Sequence, residues 1–201
     1  MKTSLNVVYV LAFPMIFGLI AISDVFVPLF FGAGYERVSL LIKVTVPIVL
    51  FIGMTNVLGN QYLLPIRRQN EYTISVWCGA VVNATFNLIL IPHFGALGAA
   101  IGTLVAEFFV LLAQIFFVRK NFTLREIMSS SLKYFLGALI MFVSVCLLDL
   151  AMQNVAPMLN LFIRMFAGVL IYAVFLLMTK DEFICSIALR FAGVLKKRMR
   201  F

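Results

Sequence analysis

The chain has 201 residues, of which 64% are hydrophobic and 12% charged, with a mean hydropathy of +1.11 and a formal net charge of +8. Soluble domains carry about 25% charged residues, and the apolar runs here are too long and too many for a soluble core, so length counts membrane spans. No Walker A motif, no GxGxxG after a strand and no metal-ligand spacing is present, and Cys78, Cys146 and Cys185 stand apart without a CxxC pair, which argues against an ATP-driven pump, a bound cofactor, a disulfide and a metal site.

The first apolar run covers residues 7–31. Lys2 precedes it as in a signal peptide, but the run is longer than an h-region and further runs follow, so an anchor is expected rather than a cleaved leader. Pro14 removes a backbone hydrogen bond inside it and is expected to kink the helix. Asp24 lies within two turns of its far end, where a carboxylate reaches interfacial water. Gly32-Ala-Gly34-Tyr-Glu-Arg37 closes the gap to a second run at residues 40–64, which holds Pro47. Within it stands Asn56-Val-Leu-Gly59-Asn60-Gln61-Tyr-Leu-Leu-Pro65. Asn56 and Asn60, four residues apart, share one helical face. Pro65-Ile-Arg67-Arg68-Gln-Asn-Glu71 leads to the third run, residues 72–91, where Asn83 and Asn87 repeat that spacing. Two successive spans thus present amide ladders, which suit either interhelical hydrogen bonds worth about 0.6 to 2 kcal/mol each or the wall of a hydrated cavity.

Pro92-His93-Phe-Gly95 reads as the next turn, with His93 a turn residue rather than a metal ligand. The fourth run, residues 96–118, contains Gly98, Gly102 and Ala106, a stripe of small residues at four-residue intervals that lets another helix approach closely. Glu107 sits near its midpoint, where a charge without a partner costs about 2.5 to 3.5 kcal/mol. It reads either as a protonated or hydrogen-bonded packing residue or as a carboxylate facing a cavity. Gln114 lies seven residues on, along the same face. A charged stretch from Arg119 to Glu126 precedes the fifth run, residues 132–152, with Asp149 near its outer end, and the sixth run covers residues 161–178. Beyond it, Phe183, Ile184, Ile187, Phe191, Val194 and Leu195 recur at helical spacing between an acidic start and a basic close. That pattern predicts an amphipathic helix on the inner leaflet, and it absorbs the positive charge without invoking nucleic acid.

Backbone groups find no water in hydrocarbon, and these runs are twice the length of barrel strands, so helices are expected throughout. The predicted fold is all-α: a polytopic membrane bundle of six transmembrane helices over residues 1–179, then a cytoplasmic basic amphipathic tail at 180–201. With six crossings, thirteen of the sixteen lysines and arginines fall on one side and only Arg37, Lys43 and Arg164 on the other. The positive-inside rule then places both termini in the cytoplasm.

The succession Phe31-Gly-Ala-Gly-Tyr35, the Asn56 to Pro65 segment, Asn83-Ala-Thr-Phe-Asn87-Leu-Ile-Leu-Ile-Pro92, Gly95-Ala-Leu-Gly98-Ala-Ala and Glu107 resembles the C-terminal part of bacterial polysaccharide flippases. These are the Wzx-like, polysaccharide-biosynthesis members of the multidrug/oligosaccharidyl-lipid/polysaccharide exporter superfamily, with a MATE-like fold. The resemblance implies helical lobes around a central cavity in the bacterial inner or plasma membrane. It also implies alternating access, with an ion gradient as a candidate driving force. The implied substrate is an oligosaccharide linked through pyrophosphate to a polyprenyl lipid, moved without catalysis and without a cofactor for cell-surface polysaccharide assembly. Membrane lipids and other polysaccharide assembly proteins are the implied partners. Asn56, Asn60, Gln61, Asn83, Asn87 and Glu107 become candidates for the cavity wall, and Arg67 and Arg68 for its cytoplasmic mouth, where ordinary positive-inside topology explains the arginine pair equally well. Such flippases have twelve to fourteen spans, so this chain is expected to be a truncated C-terminal fragment: a shortened reading frame, one piece of a split gene, or a part that functions only beside a partner such as the missing N-terminal lobe.

Three other readings stay open: a fragment of a cation-coupled drug or metabolite antiporter, an inactive structural membrane fragment, and a membrane-embedded transferase. The last is poorly served by a lone histidine and carboxylates dispersed along separate spans.

Overall fold

A computed structural model describes residues 1–32, 34–152 and 155–179; the predicted amphipathic tail, residues 180–201, lies outside the described residues. Helix α1 runs Lys2–Phe31, α2 Glu36–Thr45 and α3 Ile48–Thr55, followed by a π-helical segment at Asn56–Leu63. Then come α4 (Gln69–Phe94), α5 (Ala96–Val118), the short α6 (Leu124–Met128), α7 (Ser131–Ala151) and α8 (Pro157–Met178). Six spans long and apolar enough to cross a bilayer result, with α2, α3 and the π segment forming the second and α6 with α7 the fifth. The chain is a multi-pass membrane protein with an all-helical fold.

The helices outrun the apolar stretches that announce them. The first begins at Lys2 rather than residue 7, and its 30 residues reach about 45 Å against a hydrocarbon core of about 30 Å. Hydropathy marks the part in lipid, whereas the helix continues into the interface. The expected turn at Pro92 is a correction of the same kind: α4 continues through Pro92 and His93 to Phe94, and Gly95 alone turns the chain, at φ 55° and ψ −128°. A proline three residues from a helix end frees only a carbonyl near the interface, so it does not stop the helix.

Packing reverses the soluble pattern. Trp77, Leu88 and Phe166 are 67%, 78% and 69% exposed, as suits an apolar solvent. The interior gathers Leu5, Tyr9 and Phe13 of α1 with Tyr134, Met141 and Val145 of α7 and Tyr172 of α8. A second unit is the α4–α5 hairpin, joined to α1 through α3.

Span ends meet in two sets, as six alternating crossings require. At one end Lys2 approaches Glu126 at 3.5 Å, the Tyr9 hydroxyl donates to the Ile127 carbonyl at 2.9 Å, and Lys133 Nζ donates to the Thr179 carbonyl at 3.4 Å. There α6 is closed by a capping box between Thr123 and Glu126. At the other end Lys43 pairs with Asp24 at 2.6 Å and Arg164 with Asp149 at 2.7 Å.

Pro14 shows how α1 tolerates its prolines. Lacking an N–H, it leaves the Val10 carbonyl, four residues back, without its helical donor. The Tyr172 hydroxyl of α8 donates to that carbonyl at 3.2 Å. Tyr172→Phe is expected to lower thermal stability in detergent by about 1 kcal/mol. In a Pro14→Ala background, where the helix supplies its own donor, the same change should cost clearly less, a coupling that a double-mutant cycle measures.

Candidate functional site

The π segment, α4 and α5 enclose a cavity of about 440 Å³ lined by Asn56, Asn60, Tyr72, Asn83, Glu107 and Gln114 among others. Each ladder closes on itself rather than bonding to the other: Asn60 Nδ2 donates to Asn56 Oδ1 at 3.1 Å, and Asn87 Nδ2 donates to Asn83 Oδ1 at 2.7 Å. A long contact of 3.5 Å from Asn83 Nδ2 to Thr103 Oγ1 links α4 to α5, as does a bond of 3.3 Å from Gln114 Nε2 to Ser75 Oγ. Self-paired amides at four-residue spacing leave their remaining donors and acceptors to whatever fills the cavity.

Asn56 and Asn60 reach the cavity through backbone that is not α-helical. The segment makes five-residue hydrogen bonds, such as Leu64 N–H to the Gly59 carbonyl at 3.1 Å. Such insertions recur at functional sites because they re-aim side chains without ending a helix. Gly59 makes the geometry possible: a Cβ there would stand 2.8 Å from both Gln114 Nε2 and the Tyr72 ring. Just beyond, Arg67 turns the chain at φ 61°, a left-handed conformation that side chains rarely adopt.

The α4–α5 hairpin that carries Asn83 and Glu107 depends on small residues. A Cβ on Gly98 would fall on the Leu90 backbone, one on Gly102 on the Asn87 amide, and one on Gly79 against Val110. Ala106 is buried and also borders the cavity. These residues let two helices come close enough to share a polar wall.

Not every candidate is in that wall. Gln61 is exposed and does not line the cavity, and Asn87 reaches it only through Asn83, lying instead beside a separate hollow with Leu88 and Ile91. Gln114, read from sequence only as sharing Glu107's face, lines the cavity as well. Of the arginine pair, Arg67 is exposed, whereas Arg68 is committed within the chain. Arg68 pairs with Glu71 at 2.5 Å and donates to Asn121 Oδ1 at 3.3 Å and to the Phe117 carbonyl at 3.1 Å, tying the loop before α4 to the end of α5.

Two charge clusters escaped the sequence reading, which set Asp24 and Asp149 within reach of interfacial water and counted Lys43 and Arg164 only as cations of the outer side. Asp24 accepts from Lys43 at 2.6 Å and from the Ser39 hydroxyl at 2.5 Å, joining α1 to α2. Arg164 donates to Asp149 at 2.7 Å and to the Ala21 carbonyl at 2.6 Å, joining α8 to α7 and α1. The available signal was the cost of a lone charge within a span, which makes opposite charges near one bundle end natural partners. Arg164 also borders a second cavity of about 500 Å³ between α1, α7 and α8 that is otherwise almost wholly apolar.

The sequence matches no protein-family model. A curated relative, an uncharacterized membrane protein of Methanocaldococcus jannaschii, is 42% identical over 65 residues, which amount to 32% of this chain and 13% of that protein. Among solved structures, the chain is similar to the lipid II flippase MurJ in an inward closed conformation, with a TM-score of 0.73 and 21% identity over 88% of this chain and 37% of that one. The likeness is one of fold: the described helices follow a MurJ-like architecture. The chain spans well under half the length of either protein.

Arg164 is 2% exposed and Asp149 44%, so the members of this pair differ in what they lose when separated. Asp149→Asn strands a buried cation and is expected to destabilise the bundle by about 3 kcal/mol, whereas Arg164→Met leaves a carboxylate that water can still reach and should cost clearly less. Thermal unfolding of the two variants and of the double variant checks that order.

Proposed function

We propose that these six spans form part of a transporter that moves a lipid-linked oligosaccharide across the plasma membrane by alternating access. The observation that carries this reading is the placing of Asn56, Asn60, Asn83, Glu107 and Gln114 around one cavity inside an otherwise apolar bundle. A polar recess in hydrocarbon is costly unless water or a polar cargo fills it, and amides and carboxylates are the groups that hydrogen-bond sugar hydroxyls. The MurJ-like architecture gives such a recess a transporter's setting, and the name of that neighbour, a lipid II flippase, makes a lipid-linked cargo the first choice.

Orientation follows from charge. Lys43 and Arg164 lie inside spans and pair with Asp24 and Asp149, so of the three cations assigned to the far side only Arg37 remains as a free topological charge. The end bearing Lys2, Arg67, Arg68, Arg119 and Lys120 is then the cytoplasmic one. Arg67, exposed at that end, is the group placed to meet a phosphate, while Arg68 holds the loop. Because the chain covers 37% of its structural neighbour, the cavity is read as one wall of a larger one, completed by a second helical lobe.

Single cysteines at positions 56, 83 and 107, in a background with Cys78, Cys146 and Cys185 changed to serine, are expected to react with a membrane-impermeant thiol reagent, whereas one at the lipid-facing position 166 is not. The companion change Asn60→Leu with Asn83→Leu should cut translocation of a fluorescent lipid-linked oligosaccharide at least tenfold, about 1.4 kcal/mol or more in barrier, with unchanged membrane abundance. Labelling of positions 56, 83 and 107 only by lipid-dissolved reagents would refute the transport reading.

A further inference from the structure

The hydrogen-bonding state of the cavity wall constrains the charge of the cargo. Ser75 has one hydroxyl proton, and the Tyr72 carbonyl accepts it at 2.6 Å. Toward Gln114 the Ser75 oxygen is therefore an acceptor only, so the side-chain amide must present its N–H group, as it does at 3.3 Å. The orientation of Gln114 is thereby set, and its carbonyl oxygen points away from Ser75. That oxygen is buried without a partner, on a residue only 1% exposed. An acceptor withdrawn from water in this way is costly until a donor reaches it, and Gln114 borders the cavity.

Glu107 lies seven residues earlier on the same face of α5, about 10 Å along the helix, so one sugar ring does not reach from one to the other. It makes no ion pair or hydrogen bond to any described residue. Among the described residues the cavity lining contains no lysine, arginine or histidine. Asn56 and Asn83, by contrast, already accept from Asn60 and Asn87. The groups left open along α5 are thus acceptors, one of them a carboxylate, with no cation to balance it.

We infer that the glycan resting on this wall carries a protonated amino group, an amino sugar rather than an acidic one, and that Glu107 is the residue that selects it. This rests on the transport reading above and sharpens it. A carboxylate brought against Glu107 is disfavoured by roughly tenfold or more, and an ammonium is favoured by a similar factor. Uncharged sugars fall between, held by their hydroxyl donors alone.

The test uses the full chain in lipid nanodiscs and the binding of three trisaccharides at neutral pH: the glucosamine trimer, its N-acetylated neutral counterpart and the galacturonic acid trimer. The glucosamine trimer should bind roughly tenfold more tightly than the neutral one, and the acidic trimer more weakly than either. Glu107→Gln, which keeps the shape of the side chain, should bring the three affinities together. A merely structural glutamate would leave the ranking intact. Equal binding of all three by the unaltered chain, or a ranking that survives Glu107→Gln, overturns the inference and leaves the transport reading standing. Binding of none of the three likewise overturns the inference, while the transport reading stands or falls on the thiol labelling.

Discussion

A polar group inside this bundle is stabilised by a partner within the protein, because hydrocarbon offers none. Water would otherwise take up the carbonyl freed by Pro14, the guanidinium of Arg164 and the carboxylate of Asp24. Here Tyr172, Asp149 and Lys43 take their places. Each of these bonds joins two spans, so satisfying a polar group and fixing a helix position are one event. Association between apolar helices in lipid gains little from the hydrophobic effect, which leaves such polar ties and close packing of small residues to specify the arrangement.

The same constraint explains which parts of the structure were legible in the sequence. Six crossings and an all-helical fold follow from apolar run length and the need to satisfy the backbone, and both are present. The amide ladders stood out because Asn56, Asn60, Asn83 and Asn87 recur at helical spacing in runs that are otherwise apolar. Their partners did not stand out. A four-residue spacing is compatible with bonding across helices or along one, and the choice depends on how closely Gly59, Gly79, Gly98 and Gly102 let the spans approach.

Other features were hidden for reasons of local geometry. The π segment has no composition of its own: Asn56–Leu63 reads as helix, and the extra residue in its turn arises from packing Gly59 against Gln114 and Tyr72. Asp24, Lys43, Asp149 and Arg164 were each readable as residues near span ends, yet pairing depends on which spans are neighbours, and periodicity within a span carries no information about that. The commitment of Arg68 to Glu71, Asn121 and the Phe117 carbonyl belongs to the same class.

The two cavities differ in a way that bears on function. Between α1, α7 and α8 the single cation, Arg164, is neutralised by Asp149 and anchored to Ala21, and the rest of that surface is apolar. Between the π segment, α4 and α5 the single acid, Glu107, has no neutralising partner among the described residues, and a buried amide oxygen nearby is likewise left open. At the bundle end Asp24, Lys43, Asp149 and Arg164 are all paired. A protein whose stability depends on pairing charges loses stability by leaving one unpaired, and such a loss persists where the open group meets something that is not part of the fold. The asymmetry between the paired charges of the bundle end and the open carboxylate of the cavity therefore separates the residues that hold the spans together from those left open to the cavity.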